Sequence, residues 1–174
     1  MILFFLDFDG VLHPHFPLAD LPDEENQHFF YLPVFETAAR QCGEYEIVIS
    51  STWRNKHTLN EIRQLFSPDV AARIVGATPA VGRGNGPGAR QVEVEAWLEA
   101  QGRQNDPWIG IDDYPELYNA GAAVVACHDG FRQRETDLLL EAARDIKAFA
   151  ERYPVNSGRS EKLIIVSGVK TSDR

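Results

Sequence analysis

Short apolar runs along the chain alternate with longer stretches in which apolar residues recur every three or four positions. The short runs are typical of strands that are buried on both faces of a sheet. They predict strands at residues 2–6, 46–49, 73–77, 108–111 and 122–126. The longer stretches predict amphipathic helices that begin near residues 33, 58, 90 and 135, the last of them running to residue 152.

Signals at the ends of these stretches support the same division. Pro33 suits the first turn of a helix, and Gly43 is a typical C-terminal stop. Thr58 and Glu61 have the spacing of a capping box, in which two side chains satisfy free backbone groups at a helix start. Strands that alternate with helices predict an α/β fold, a three-layer sandwich around a mostly parallel, five-stranded Rossmannoid sheet.

The chain is predicted to form one domain with a short extension. Its 174 residues are enough for one sizeable core. The domain is expected to span residues 1–153, followed by a C-terminal extension at residues 154–174. Within the extension, the apolar run 163–166 could add an edge strand, and the rest is expected to be a mobile tail. Only about thirty residues separate the first two strands, which leaves room for a flap and one helix but not for another folded domain.

Pairs of acidic residues follow two of the predicted strands. Asp7 and Asp9 come after the first strand, on the same side of an extended chain, and Asp112 and Asp113 follow the fourth. Carboxylates held together at the end of a buried strand repel each other and lose hydration. A divalent cation that prefers hard oxygen ligands, Mg²⁺ above all, removes both costs. An Asp-Gly turn and an acidic turn before Pro115 are the structural alternatives.

Hydroxyl residues and an arginine end the second predicted strand. Ser50, with Ser51 as the alternative, could hydrogen-bond phosphate oxygens at the carboxyl edge of the sheet, where doubly wound folds bind their ligands. A helix N-cap is the structural explanation for the same serine. Arg54 could grip a phosphate through its planar guanidinium group, or it could lie in solvent.

Composition limits the classes of partner and the compartment. Seventeen Lys and Arg residues against 26 Asp and Glu give a net charge of −9, so strong nonspecific binding to nucleic acid is not expected. No apolar run is long enough to span a membrane, and no basic segment precedes the apolar start of the chain, so a cytoplasmic location is expected. Cys42 and Cys127 lie far apart in apolar surroundings, which favours free buried thiols over a disulfide or a metal site.

A glycine-rich segment, residues 82–88, lies between the third predicted strand and the next helix. Such a segment could bind a dinucleotide, which would make the chain a nucleotide-binding oxidoreductase. The spacing of its glycines differs from the dinucleotide fingerprint, and no acidic residue follows at the end of a second strand about 20 residues on. A flexible loop near the site is the better interpretation.

Three strand-end segments, 6–12, 49–54 and 111–113, resemble motifs of the haloacid dehalogenase (HAD) superfamily of phosphohydrolases. Together with Thr78-Pro79 and the helix that starts at Arg90, they are similar to its capless branch, the HAD domain of Swiss Army Knife RNA repair-like proteins. The resemblance covers roughly residues 2 to 126 and implies a HAD-like fold with a minimal cap.

The resemblance also implies roles for the four acidic residues. Asp7 would attack phosphorus, and Asp9 would serve as general acid and then as general base. Mg²⁺ would be held by Asp7, by the backbone carbonyl of Asp9 and by the Asp112–Asp113 pair. The sequence leaves open which member of that pair touches the metal.

The phosphate-binding residues follow from the same resemblance. Ser50 matches the hydroxyl of the second motif, with Ser51 as the alternative. The third motif supplies one cation that offsets the charge of an attacking carboxylate and a phosphate. Arg90 is the candidate for that cation, with Arg83 and Lys56 as alternatives.

The implied activity is that of a Mg²⁺-dependent phosphatase that cleaves a phosphomonoester through an aspartyl-phosphate. Its phosphorylated partner could be a small molecule, a nucleotide or a nucleic-acid end. The alternative is a catalytically silent HAD-fold binding or regulatory module, against which the presence of both Asp7 and Asp9 argues.

Overall fold

The computed structural model describes residues 1–81 and 86–155. The strands are β1 (Ile2–Leu6), β2 (Tyr45–Ile49), β3 (Ile74–Ala77), β4 (Trp108–Asp112) and β5 (Val124–Ala126). The helices are α1 (Leu32–Gln41), α2 (Leu59–Arg63), α3 (Pro68–Ala71), α4 (Ala89–Ala100), α5 (Gln133–Arg144) and α6 (Ile146–Arg152). Two short 3₁₀ helices, Thr52–Asn55 and Pro115–Leu117, follow β2 and β4.

β1 is the central strand of the sheet. All five strands are parallel, in the order β3-β2-β1-β4-β5. Leu6 of β1 lies opposite Ile49 of β2 on one side and Ile111 of β4 on the other. The predicted α/β fold with a five-stranded Rossmannoid sheet is confirmed, and the sheet is entirely parallel.

Helices cover both faces of this sheet, which explains why β1 is apolar at every position. Phe4 and Leu6 point into the larger core, which they share with α1, α5 and α6. Leu3 and Phe5 point to the opposite face and pack with α4. All four side chains are fully buried. Successive residues of a strand face opposite sides, so a strand between two helical layers needs an apolar residue at each position.

The segment between β1 and α1 is the minimal cap that the sequence predicts. Residues 7–31 contain turns, bends and one isolated bridge between Asp9 and His13, with no helix or strand. Its prolines limit regular structure, because proline lacks an amide donor and restricts the residue before it. The connection between β1 and α1 therefore contains no folded cap domain.

The single long helix predicted for residues 135–152 is wrong. Asp145 has extended backbone (φ −152°, ψ 91°) and separates α5 from α6. Its side chain accepts a hydrogen bond from the Ala148 amide at 3.0 Å and so caps the start of α6. The apolar spacing runs on through the break because both helices pack on the same core.

The structure also bears on the predictions about the cysteines and about membrane-spanning segments. Cys42 and Cys127 are both free thiols. None of the helices in the described part of the chain has the length and hydrophobicity that crossing a membrane requires. The run 163–166 and the candidate cation Arg83 lie outside the described residues.

Candidate active site

The candidate site lies where the strand order reverses, at the carboxyl ends of β1 and β4. The Asp7 amide donates to the Ile111 carbonyl at 3.0 Å, which continues the pairing of β1 and β4 up to the first acidic residue. A cavity of about 460 Å³ opens at this edge, and Asp7, Asp9 and Asp113 line it together with Arg90. In open parallel sheets this reversal point leaves a crevice, because the connections on its two sides run in opposite directions.

Three carboxylates meet at this crevice. Asp7, Asp112 and Asp113 each place one carboxylate oxygen within 4.8 Å of the others. Burial raises the pKa of Asp7, against the opposing effects of Arg90 and of hydrogen bonds from the Phe8 amide and the Ser51 hydroxyl. Burial, together with the neighbouring Asp7, also raises the pKa of Asp112. The cluster is therefore short of positive charge.

Arg90 supplies part of that charge. One terminal nitrogen donates to Asp7 Oδ2 at 3.1 Å, and the Nε atom lies 3.1 Å from Asp112 Oδ2. The other terminal nitrogen donates to the Ser50 carbonyl, which fixes the guanidinium plane. Its side chain is 10% exposed, and the acids around it raise its pKa well above the usual range despite the burial. The guanidinium therefore remains charged between two carboxylates.

The carboxylate donor set fits a divalent cation. Asp112 is fully buried and accepts from the Tyr114 amide at 2.9 Å and the Tyr118 hydroxyl at 3.2 Å, so its oxygens are already engaged. Asp113 lines the cavity, and its buried Oδ1 has no hydrogen-bond partner among the described residues. An orphaned carboxylate oxygen beside two further carboxylates is a suitable ligand for a hard cation. The three aspartates could hold a metal ion, and Asp113 is the freer member of its pair.

Asp9 lies beside this cluster but not in it. Its Oδ1 accepts from His13 Nε2 at 3.1 Å and from the Trp53 indole at 3.3 Å. Burial lowers the pKa of His13, although Asp9 opposes that change, so the neutral ring is favoured and Nε2 serves as the donor. The Asp9 side chain remains 30% exposed and faces the cavity. It is thus oriented on one side and accessible on the other.

The serines at the end of β2 have different surroundings. Ser51 is fully buried with its hydroxyl toward Asp7 and also accepts from the Trp53 amide at 3.4 Å. Ser50 is equally buried, but its hydroxyl has no hydrogen-bond partner in the described part of the chain, and its carbonyl serves Arg90. Thr52, which follows them, is exposed and lines the cavity. Of these three residues, Ser51 is the one in contact with the acidic cluster.

The other candidate cations lie elsewhere. Arg54 is 9% exposed; it donates to the Ser51 carbonyl at 2.9 Å and to Glu93 of α4 at 2.8 Å. These bonds tie the end of β2 to α4, the helix that carries Arg90. Lys56 is exposed and lines a second cavity next to Asp9. The structure therefore brings Arg90 to Asp7 and places Arg54 and Lys56 in other surroundings.

Sequence reasoning did not connect the two residues that hold Asp9 with that aspartate. His13 follows Asp9 by four positions, a spacing that places it back over the aspartate once Gly10 turns the chain. That spacing was a usable signal. Trp53 reaches Asp9 across the β1–β2 pairing, so no local pattern in the sequence marks it.

Comparison with known families agrees with this geometry. A family model described as the HAD domain in Swiss Army Knife RNA repair proteins matches residues 3–135, about three quarters of the chain. The chain belongs to this family. Comparisons with curated proteins and with solved structures found no match. The matched range of the HAD domain contains all three clustered aspartates and Arg90.

Gly10 of the HAD domain offers a test of how tightly the acids are packed. It has a φ of +75°, and a Cβ there would overlap the Asp113 carboxylate. Gly43 has a φ of +79° with no atom within 4 Å of an added Cβ, so it reports backbone strain alone. We expect Gly43→Ala to cost about 1 kcal/mol of unfolding free energy. Gly10→Ala should cost at least about 2 kcal/mol more, because the acid must move.

Urea denaturation of the two variants measures this difference. The wild-type protein sets the reference for both midpoints and slopes. Equal losses in the two variants would show that Asp113 is not packed against Gly10.

The buried acids also predict a pH-dependent response to Mg²⁺. Burial and the charges of Asp112 and Asp7 raise the pKa of Asp113 to about 8. A carboxyl whose pKa is raised on folding stabilises the metal-free fold below its unfolded pKa, and this stability is lost as the pH rises toward 8. Metal binds the deprotonated form. Saturating Mg²⁺ should therefore raise the melting temperature at least about 3 °C more at about pH 8 than at about pH 5.

Thermal melts with and without Mg²⁺ at the two pH values provide the measurement. Asp113→Asn is the matched variant, and Mg²⁺ should raise its melting temperature only slightly at both pH values. A wild-type response of equal size at the two pH values would rule out proton release from this cluster.

Proposed function

We propose that this chain is a Mg²⁺-dependent phosphatase that hydrolyses a phosphomonoester of a nucleotide or nucleic-acid end through an aspartyl-phosphate on Asp7. One observation carries the proposal. Asp7 is held by the fixed charge of Arg90, inside an open cavity, beside a carboxylate set that fits a divalent cation. A nucleophile, a charge-neutralising group and a metal site are the parts that phosphoryl transfer needs.

In the first step, an oxygen of Asp7 attacks phosphorus, and the bond from phosphorus to the leaving oxygen breaks. The carboxylate is held for this by the Phe8 amide at 2.8 Å on Oδ1 and by Arg90 on Oδ2. Arg90 offsets the repulsion between the two anions. Asp7, the Asp9 backbone carbonyl and the Asp112–Asp113 pair would hold Mg²⁺, which supplies further positive charge for the phosphoryl oxygens when bound.

Asp9 handles the protons of both steps. Its protonated carboxyl gives a proton to the leaving oxygen, and the resulting carboxylate takes one from the water that attacks the aspartyl-phosphate. That attack releases inorganic phosphate and restores Asp7. His13 and Trp53 hold Asp9 from the protein side, and its exposed face leaves the cavity side free for substrate and water.

The candidate substrates follow from charge and family together. The family is described by its occurrence in RNA repair proteins, which supports phosphorylated nucleic-acid ends as substrates. The net charge of −9 opposes extended contact with a polyanion but does not oppose capture of one end. The open crevice above β1 gives such an end access.

A phosphate-release screen tests the proposal. Purified protein with Mg²⁺ is assayed on oligonucleotides phosphorylated at the 5′ or 3′ end, nucleotides, sugar phosphates, phosphopeptides and a generic aryl phosphate. We expect turnover that needs Mg²⁺ and is strongest on a nucleotide or oligonucleotide. Absence of phosphate release from every substrate would favour the silent HAD-fold module instead.

Asp9→Asn should separate the two chemical steps. An aryl phosphate carries a leaving group that departs without protonation, so Asp7 can still be phosphorylated. The variant lacks the base that activates water, so the aspartyl-phosphate should accumulate. We expect a burst of about one equivalent of phenolate per protein, followed by turnover at least about 100-fold slower than that of the wild type.

Stopped-flow absorbance records the burst, and intact-protein mass spectrometry after acid quench detects the phosphorylated chain. Asp137→Asn, on the exposed side of α5, is the matched control and should behave as wild type. Steady turnover of Asp9→Asn at the wild-type rate would remove Asp9 from the proton-transfer role.

A further inference from the structure

A second cavity adjoins the first at Asp9. It has a volume of about 340 Å³, at the lower end of the roughly 300–1,000 Å³ that small-molecule sites span. Asp9 and Thr52 line both cavities. The remaining residues around the second cavity are His28, Trp53, Lys56 and His57. The two cavities are therefore neighbours, and Asp9 and Thr52 form part of the wall of each.

The lining of the second cavity is built from rings and polar groups. His57 is exposed and lies parallel to Trp53, with ring centroids 5.1 Å apart and an interplanar angle of 24°. His28, also exposed, meets the edge of Trp53 at 5.6 Å and 76°. Lys56 adds a flexible ammonium group. Among the described residues, no alanine, valine, leucine or isoleucine lines this cavity.

The position of Asp9 indicates which of the two cavities would hold the leaving group. Asp7 and Arg90 line the first cavity, where the phosphoryl group would lie, and neither lines the second. In the proposed reaction Asp9 protonates the leaving oxygen, so the leaving group must lie next to Asp9. The second cavity is the space on the far side of that residue.

We propose that the second cavity binds the nucleoside part of the leaving group. Its base would lie against the imidazole of His57, and its next phosphate would pair with Lys56. The inference rests on the proposed function and deepens it, because it names residues that select the substrate. Base stacking on aromatic rings beside a cationic group is how proteins bind unpaired nucleic-acid strands.

Two features favour a nucleotide over a phenol or a peptide side chain. The imidazoles, Thr52 and Lys56 offer hydrogen bonds around the rings, which a nucleobase can use on its edges and a hydrocarbon ring cannot. The local charge is also distinctive. Of the described residues that line this cavity, Asp9 alone is acidic, whereas Asp7, Asp9, Asp113 and Glu116 line the first. An additional phosphate would therefore be accommodated beside Lys56 in the second cavity.

Substrate discrimination tests the inference. The kcat/KM is measured for acetyl phosphate, a nucleoside monophosphate and a dinucleotide with a terminal phosphate. We expect the ratio of the dinucleotide value to the acetyl phosphate value to fall about tenfold in His57→Leu and in Lys56→Gln. The ratio of the mononucleotide value to the acetyl phosphate value should fall in His57→Leu and change little in Lys56→Gln. Lys147→Gln, an exposed lysine on α6, should keep the wild-type ratios.

Binding provides a second measurement that does not depend on turnover. In the Asp7→Asn background with Mg²⁺, calorimetry should show the dinucleotide binding about tenfold more weakly when His57→Leu or Lys56→Gln is added. If both variants keep the wild-type affinity and the wild-type kcat/KM ratios, the nucleoside subsite is overturned. Phosphatase activity of the wild-type protein in the same assays would then still support the proposed function. If the same variants lose as much kcat/KM on a phosphotyrosine peptide, the cavity binds any planar leaving group. That result also overturns the nucleotide assignment.

Discussion

Replacing Asp7 with asparagine is expected to lower kcat by more than about 10³-fold, which corresponds to about 4 kcal/mol of transition-state stabilisation. The amide has the shape of the carboxylate but is not nucleophilic, so no aspartyl-phosphate can form. The fold should remain intact. Burial already raises the pKa of Asp7, so a neutral side chain at this position removes an unfavourable charge from the metal-free protein.

Phosphate release and thermal melting of the same preparation measure both effects. Asp137→Asn makes the same chemical change on an exposed helix face and should alter neither quantity. We expect the melting temperature of Asp7→Asn without metal to equal or exceed that of the wild type. Activity within about tenfold of the wild type, roughly 1.4 kcal/mol, would contradict Asp7 as the nucleophile.

Arg90→Met is expected to cost about 3 kcal/mol of unfolding free energy near pH 8 without metal. The change leaves Asp7 and Asp112 buried without their cation, since both lie 3.1 Å from the guanidinium group. At about pH 5 the loss should be smaller, because carboxyls with raised pKa values take up protons and no longer need the charge. Turnover should fall as well, since no other described cation contacts Asp7.

Arg103→Met is the matched control for this change. Arg103 pairs with Glu46 and Asp106, but these groups are partly exposed, so the loss should be at most about 1 kcal/mol. Chemical denaturation at both pH values gives the comparison. If Arg90→Met costs no more than Arg103→Met near pH 8, the guanidinium does not hold the acidic cluster together.

Much of the fold could be predicted because burial on two faces leaves a strong trace in the sequence. β1 and β4 read as apolar runs since both lie inside the sheet, and each ends in acids. The register of parallel strands then brings those ends together without further information, as the pairing of Leu6 with Ile111 shows. The meeting of Asp7 with Asp112 and Asp113 follows from this simple geometry.

The details that escaped prediction depend on single residues and on tertiary contacts. The choice between Ser50 and Ser51 depends on how the backbone turns at the end of β2, and a change of one residue reverses which hydroxyl faces Asp7. The break at Asp145 was hidden because the apolar spacing is continuous across it. Trp53 contacts Asp9 only in the folded protein, so the local spacing of apolar residues cannot predict that contact.

The central position of β1 has a consequence for how the protein folds. Its pairing with β2 closes a loop of moderate length, but its pairing with β4 joins segments that lie on the order of a hundred residues apart. Such distant contacts form slowly, because the chain must lose much of its freedom before they stabilise it. We therefore expect Asp7 and the acids at the end of β4, Asp112 and Asp113, to stay hydrated and apart until the sheet closes. The mutual repulsion of these acids thus opposes the closure of the β1–β4 pair rather than the early, local part of folding.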